Sequence, residues 1–145
     1  MKTILKKDLW SITSFLENKE YKFNKENILK QLPEKFIDEA IMAISSWDNY
    51  VPTPLMNLNK LNDELKFKNI YYKDEDKRFD LKSFKALGGA FAVYKIASEK
   101  KNIIVSTATA GNHGRSVAWG AQRLGLKCKI FISEFVSESR AEAMR

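Results

Sequence analysis

From Ser83 onward the apolar residues change period again and again, and this alternation constrains the fold more than any other feature of the chain. Phe84, Leu87, Phe91 and Tyr94 keep helical spacing, with Val93, Ile96 and Ala97 widening the apolar face, so a helix is expected from about Ser83 to Glu99. Ile103 to Thr107 reads as a strand. Arg115 to Leu124 returns to helical spacing and stops at Gly125, Lys127 to Ile132 alternates as another strand, and a last helix starts near Ser137. Such alternation predicts an α/β fold, a parallel sheet with flanking helices. The loops that follow its strands then share one sheet edge, where such folds bind ligands, and Ala110 to Gly114 is one of those loops.

The first half is less regular. Asp8 to Leu16 carries Leu9, Ile12, Phe15 and Leu16 on helical spacing, and Glu34 to Ile44 repeats the pattern with Phe36, Ile37, Ala40, Ile41 and Ile44. The Lys-, Asn- and Glu-rich stretch from Asn18 to Lys30 reads as a loop or a solvated helix face. In Val51-Pro52-Thr53-Pro54-Leu55 two prolines force an extended connector or edge segment. A short helix within Leu58 to Phe67, a short strand Ile70 to Lys73 and a charged turn Asp74 to Arg78 follow. A division into residues 1–80, a helical segment and the start of a large domain, and 81–145, a partial α/β small domain, is expected. The last helix meets no Gly, Asn or Pro before Arg145, so the fold is expected to be incomplete at the C-terminus, the N-terminal portion of a longer protein.

Composition narrows the function classes. The net charge is +7, yet 20 of the 25 basic residues are lysines scattered singly or in pairs, which argues against a nucleic-acid partner because planar arginine forks do most base and phosphate recognition. One cysteine, Cys128, excludes an internal disulfide and a multi-cysteine metal site; its strand-like neighbours make it a buried structural thiol. No metal-ligand cluster is seen. Neither a signal peptide nor a membrane span can be read, so no membrane partner is expected and cytoplasmic residence is the default.

Two glycine-bearing motifs remain. In Ser83-Phe84-Lys85-Ala86-Leu87-Gly88-Gly89, Ser83 is a suitable N-cap and Lys85 falls on the second residue of the helix. A cation there meets the positive end of the helix dipole, which favours the neutral amine that carbonyl chemistry requires. The paired glycines cost about 1 kcal/mol each relative to alanine, so close approach of another backbone or of a flat ligand is expected. The second motif is Gly111-Asn112-His113-Gly114, a turn whose Asn112 amide offers a donor and an acceptor at a helix mouth. His113, the only histidine, reads as a hydrogen-bonded structural residue, and Arg115 and Arg123 as members of a solvated face.

Together these motifs closely resemble those of the fold-type II pyridoxal-phosphate enzymes, which include threonine dehydratase and the tryptophan synthase β chain. Phe84 to Val93 and Gly111 to Trp119 look like the diaminopropionate ammonia-lyase branch, with Thr53-Pro54-Leu55 similar to the family's lead-in motif. The resemblance spans roughly residues 50 to 145. It implies that Lys85 holds pyridoxal 5'-phosphate as an imine and later removes the Cα proton, and that Asn112 hydrogen-bonds the ring's phenolic oxygen. Ser83, Gly111, His113 and Gly114 would line the site, with backbone donors near the carboxylate of a small amino-acid substrate. α,β-Elimination from 2,3-diaminopropionate, giving pyruvate and ammonia as part of amino-acid catabolism, is the activity implied, and a homodimer the expected assembly.

The chain departs from that pattern at Ala110, where the ammonia-lyase branch is expected to carry an Asp as a second acid/base group. A serine/threonine dehydratase-like enzyme is therefore a second reading, and a non-catalytic remnant a third. The family's phosphate-holding loop is expected beyond position 145, so this chain alone is expected to be inactive.

Overall fold

The computed structural model describes residues 19, 20 and 22–145; the helix anticipated from Asp8 to Leu16 lies outside them. The chain divides into two compact units, one ending at Glu34 and the other running from Lys35 to Arg145. In the first, α1 (Lys25–Gln31) is capped by Asn24, whose side-chain oxygen accepts from the Asn27 amide at 3.0 Å. It buries no residue, and of the two readings of this stretch the solvated helix is the one adopted. Pro33 ends it by pushing Leu32 out of the α region.

In the second unit, α2 (Glu34–Ser45) follows the helical spacing of the sequence, but its apolar stripe is not a core face. Phe36, Ile37 and Ile41 are exposed, and only the Ile44 end packs inward, against a cluster built on Trp47, Phe79, Ala86 and Ala90. The extended, proline-set segment that follows leads into β1 (Leu55–Asn57), which pairs antiparallel with β2 (Tyr71–Lys73), Leu55 opposite Lys73 and Asn57 opposite Tyr71. Between them α3 (Asn59–Leu65) closes the hairpin through Asn62. Its buried amide donates to Asn57 Oδ1 at 2.8 Å and accepts from the Ile70 amide at 2.7 Å. The strand from Ile70 therefore does not join a single parallel sheet, as the sequence reading implied. Its partner begins at the end of the segment read as a connector or edge segment, and a three-residue strand with no buried position leaves no periodic signal to decide between the two.

The alternating half folds as the spacing predicts. After the 3-10 turn Glu75–Lys77 come α4 (Lys85–Glu99), β3 (Ile104–Ala108), α5 (Asn112–Arg123), β4 (Lys127–Phe131) and α6 (Glu138–Glu142). β3 and β4 run parallel, Ile104 opposite Lys127 and Ala108 opposite Phe131, with α5 as the crossover. Val105, Cys128 and Ile130 turn toward a buried cluster of Val93, Val117 and Ala121. Burial raises the Cys128 thiol pKa, as befits a structural cysteine. No helix among the described residues is long and apolar enough to cross a membrane.

The tightest contact in this half joins α4 to α5. The Ala90 amide donates to the fully buried Ser116 Oγ at 3.0 Å. A Cβ on Gly89 would stand 2.8 Å from Ser116 Cβ, and one on Gly120 would stand 2.7 Å from Ala90 Cα. Gly120 is thus where the two backbones touch, and Gly89 is where the α4 backbone receives the Ser116 side chain. Because Ala90 Cα cannot swing aside, Gly120→Ala is expected to destabilise the protein by about 1–3 kcal/mol. Thermal unfolding checks this: a clear fall in Tm is expected, and an unchanged Tm contradicts the contact.

Candidate active site

Lys85 is the first residue of α4, not the second, and Phe84 occupies the boundary position in an α-helical conformation. Ser83, one residue further out and 8% exposed, still acts as the cap: its Oγ accepts from the Lys85 amide at 3.2 Å and its carbonyl from the Ala86 amide at 3.1 Å. The Lys85 side chain is exposed, with Nζ 5.1 Å from the centre of the Phe84 ring. Among the described residues it has no carboxylate partner.

The run Gly111-Asn112-His113-Gly114 is not a turn ahead of a helix beginning at Arg115. It forms the boundary and first turn of α5, which starts at Asn112 with Gly111 extended before it. The helix starts earlier than its apolar spacing suggests because Asn112 and His113 are exposed and add nothing to that spacing. Both polar side chains lack a hydrogen-bond partner among the described residues, so His113 is not the internally bonded residue anticipated. Each glycine pair divides its work. Gly89 and Gly114 are packed, a Cβ on Gly114 meeting Thr109 Cγ2 and Met144 Sδ at 2.6 Å, whereas Gly88 and Gly111 face open space.

Helix geometry brings the two motifs to one end. Gly89 lies on Ser116, Ala90 on Gly120, and one turn on Val93 packs with Val117 and Ala121, so α4 and α5 run in the same direction. Lys85 and Asn112 each precede the first of these contacts by four residues, about 6 Å of helix rise. The mouths of both helices therefore open at the same end. There a cleft of about 330 Å³ is lined by Ala110, Gly111, Asn112, Arg115, Ser139 and Arg140. A larger cleft of about 660 Å³ lies along α5, β4 and α6, past Trp119, Cys128, Ile130 and Met144. Lys85 lines neither.

Two arginines do more than line the solvated face expected of them. Arg123 is an exposed residue, as expected, but its side chain is 24% exposed and stacks on Trp47 and Trp119, its guanidinium carbon 5.3 and 5.0 Å from the ring centres. Arg115 is half-buried, its Nε without a hydrogen-bond partner among the described residues. Sequence reasoning missed a third, Arg78, whose side chain is 6% exposed. Its guanidinium donates to Glu75 through Nε at 2.9 Å and Nη2 at 3.1 Å, to Thr53 Oγ1 at 3.0 Å and to the Val51 carbonyl at 3.3 Å. The signal available was the Thr between two prolines together with the arginine closing the acidic turn.

Comparison with known proteins follows from this geometry. Residues 47–145 match the model of the pyridoxal-phosphate dependent enzyme family, and the chain belongs to that family. Its α/β fold is that of the fold-type II enzymes. Diaminopropionate ammonia-lyase of Salmonella typhimurium is 40% identical over 119 residues, covering 67% of this chain and 30% of the relative. Biosynthetic L-threonine dehydratase of Haemophilus influenzae is 36% identical over 93 residues, covering 64% of this chain and 18% of the relative. The crystal structure of the Escherichia coli diaminopropionate ammonia-lyase in complex with an aminoacrylate-PLP azomethine intermediate superposes with a TM-score of 0.69 at 36% identity, covering 74% of this chain and 31% of that one. The chain thus spans about a third or less of the length of these relatives.

The Arg78–Glu75 pair sets a pH dependence. Chiefly through its hydrogen bond from Arg78, the Glu75 carboxyl is held below its ordinary pKa of 4.5. A depressed folded-state value means that this contribution to stability is complete above the ordinary value and is lost as pH falls through the lowered one. Glu75→Gln is therefore expected to lower Tm at neutral pH, with the difference from the parent narrowing below pH 4.5. A difference that stays constant in acid contradicts the pair.

Proposed function

We propose that this chain carries the lysine-bearing half of the active site of a pyridoxal-phosphate-dependent ammonia-lyase acting by α,β-elimination on a small amino acid, most like 2,3-diaminopropionate. The observation that carries this reading is the common opening of the Lys85 and Asn112 helix mouths in a member of this family. Lys85, an exposed amine with no carboxylate partner among the described residues, would hold the aldehyde carbon of the cofactor and, when a substrate amine takes its place there, would accept the substrate's Cα proton. The cofactor, when bound, supplies the electron sink for the charge that proton loss leaves on Cα.

The residues at this end suit the reactive part of such a molecule. Gly88 and Gly111 leave open space for a flat ring, and the Asn112 side-chain amide, which has no partner among the described residues, suits a phenolic oxygen. The first amides of α5, at Asn112, His113 and Gly114, have no acceptor in their own helix and suit the substrate carboxylate. Ser83 supports Lys85 through its backbone amide. No residue here is assigned to the cofactor phosphate, and residues 1–145 on their own are expected to release little or no pyruvate. We place the full-length protein in cytoplasmic amino-acid catabolism as a homodimer, with the division near residue 80 separating its two domains.

A dehydratase-like reading with serine or threonine as substrate rests on a specific feature. The cleft beside Asn112 is lined by Ala110 and contains no carboxylate that might serve as a second acid/base group. Substrate profiling of the full-length protein separates the two readings. Pyruvate release from 2,3-diaminopropionate that falls by about 10²-fold or more in Lys85→Ala supports the lyase. Release from serine, with none from diaminopropionate, supports the dehydratase, and no release from either contradicts both.

A further inference from the structure

The segment between the 3-10 turn and Lys85 is the most strained part of the described backbone. Phe79, Asp80 and Lys82 all have positive φ, at 48°, 59° and 54°, although none is glycine. Left-handed backbone is costly for residues with a Cβ and persists only where the surroundings over-determine it. Asp80 and Lys82 are exposed, and the one ion pair they make among the described residues, Lys82 with exposed Asp76 at 3.8 Å, is too weak to provide such a hold. The hold comes from the residues before and between them.

Arg78 is 5% exposed and ties two segments together: its own turn through Glu75, and the proline-set connector through Thr53 Oγ1 and the Val51 carbonyl. Thr53, 3% exposed, also donates to Glu75 at 2.5 Å, which closes the network. The Arg78 carbonyl accepts from the Leu81 amide at 2.9 Å, so the left-handed turn is closed on the same residue. Next to it Phe79 is 8% exposed and packs on Trp119 at 4.8 Å, on Trp47 at 5.9 Å and on Tyr50 at 6.1 Å between ring centres. Trp119 belongs to α5, so the aromatic anchor holds the start of the loop against the helix that carries Asn112. From that fixed point five residues lead to Lys85, among them left-handed Asp80 and Lys82 and buried Ser83.

We propose that Arg78 is a positioning residue for Lys85: by clamping the connector at Val51 and Thr53 it keeps the strained turn 79–82 in the one conformation that starts α4 at Lys85, at the same end as the mouth of α5. This rests on the reading of Lys85 as the cofactor lysine. Relaxation of the turn toward negative φ re-registers the start of the helix and removes the Ser83 cap from the Lys85 amide.

The test measures where pyridoxal phosphate becomes attached after borohydride treatment of the full-length protein, as the ratio of label on Lys85 to label on the other lysines, read by peptide mass spectrometry. Thermal unfolding is followed in parallel, so that labelling is compared well below each Tm. Arg78→Gln is expected to lower the ratio about tenfold, the equivalent of one charge-assisted hydrogen bond. Asp80→Val and Asp80→Gly change only an exposed side chain and leave the clamp intact. Valine disfavours the left-handed region and is expected to lower the ratio, whereas glycine enters it freely and is expected to keep the parent value. If Arg78→Gln fails to fold, the Asp80 pair decides. A parent that labels Lys85 selectively, with Arg78→Gln or Asp80→Val labelling it equally well, overturns the positioning role alone. A parent with no preference for Lys85 overturns the cofactor reading, and this inference with it.

Discussion

The contact between Gly89–Ala90 and Ser116–Gly120 determines what this chain can do. It brings the backbones of α4 and α5 together at Gly120 with only the small side chains of Ala90 and Ser116 beside them, and the buried hydroxyl of Ser116 links them through the Ala90 amide. Because the contact lies one turn inside both helices, it fixes their mouths side by side. One mouth carries a lysine and the other an asparagine whose side chain has no hydrogen-bond partner among the described residues. Glycine pairs thus serve two ends: one member admits a neighbouring side chain, and the other leaves room at the opening.

Strain complements packing here. The approach to Lys85 passes through a left-handed turn that its own residues do not favour, and a buried arginine and a cluster of aromatic rings compensate from either side. A stable local geometry with an unfavourable backbone is the usual arrangement where a reactive group must be aimed. Arg123, laid across Trp47 and Trp119, extends the same cluster to the far end of α5. An arginine on an exposed face is in this way laid against the aromatic cluster.

Much of this was legible in the residues. The alternation after Ser83 announces α4, β3, α5 and β4 because each buries one face on a definite period, and both glycine motifs stand out against that background. What escaped has physical reasons. β1 is three residues long and buries nothing, so it carries no period. α2 has the spacing of a core helix, yet Phe36, Ile37 and Ile41 remain exposed among the described residues, which spacing alone does not reveal. The roles of Arg78, Arg115 and Arg123 depend on partners distant in sequence. Which glycine packs and which stays open is decided by the neighbour across the interface, not by its own motif.

Family membership gives this geometry its chemistry, and Ala110 gives it a question, since the wall beside Asn112 lacks the acid expected of the ammonia-lyase branch. The most direct measurement of the central claim, that packing of α4 on α5 assembles the reactive end of a cofactor site, is a crystal structure of the full-length protein with pyridoxal phosphate bound. Density continuous with Lys85 Nζ, with Asn112 in hydrogen-bonding range of the ring, is the predicted result. Cofactor joined to another lysine, or bound with Asn112 out of reach, would contradict the account.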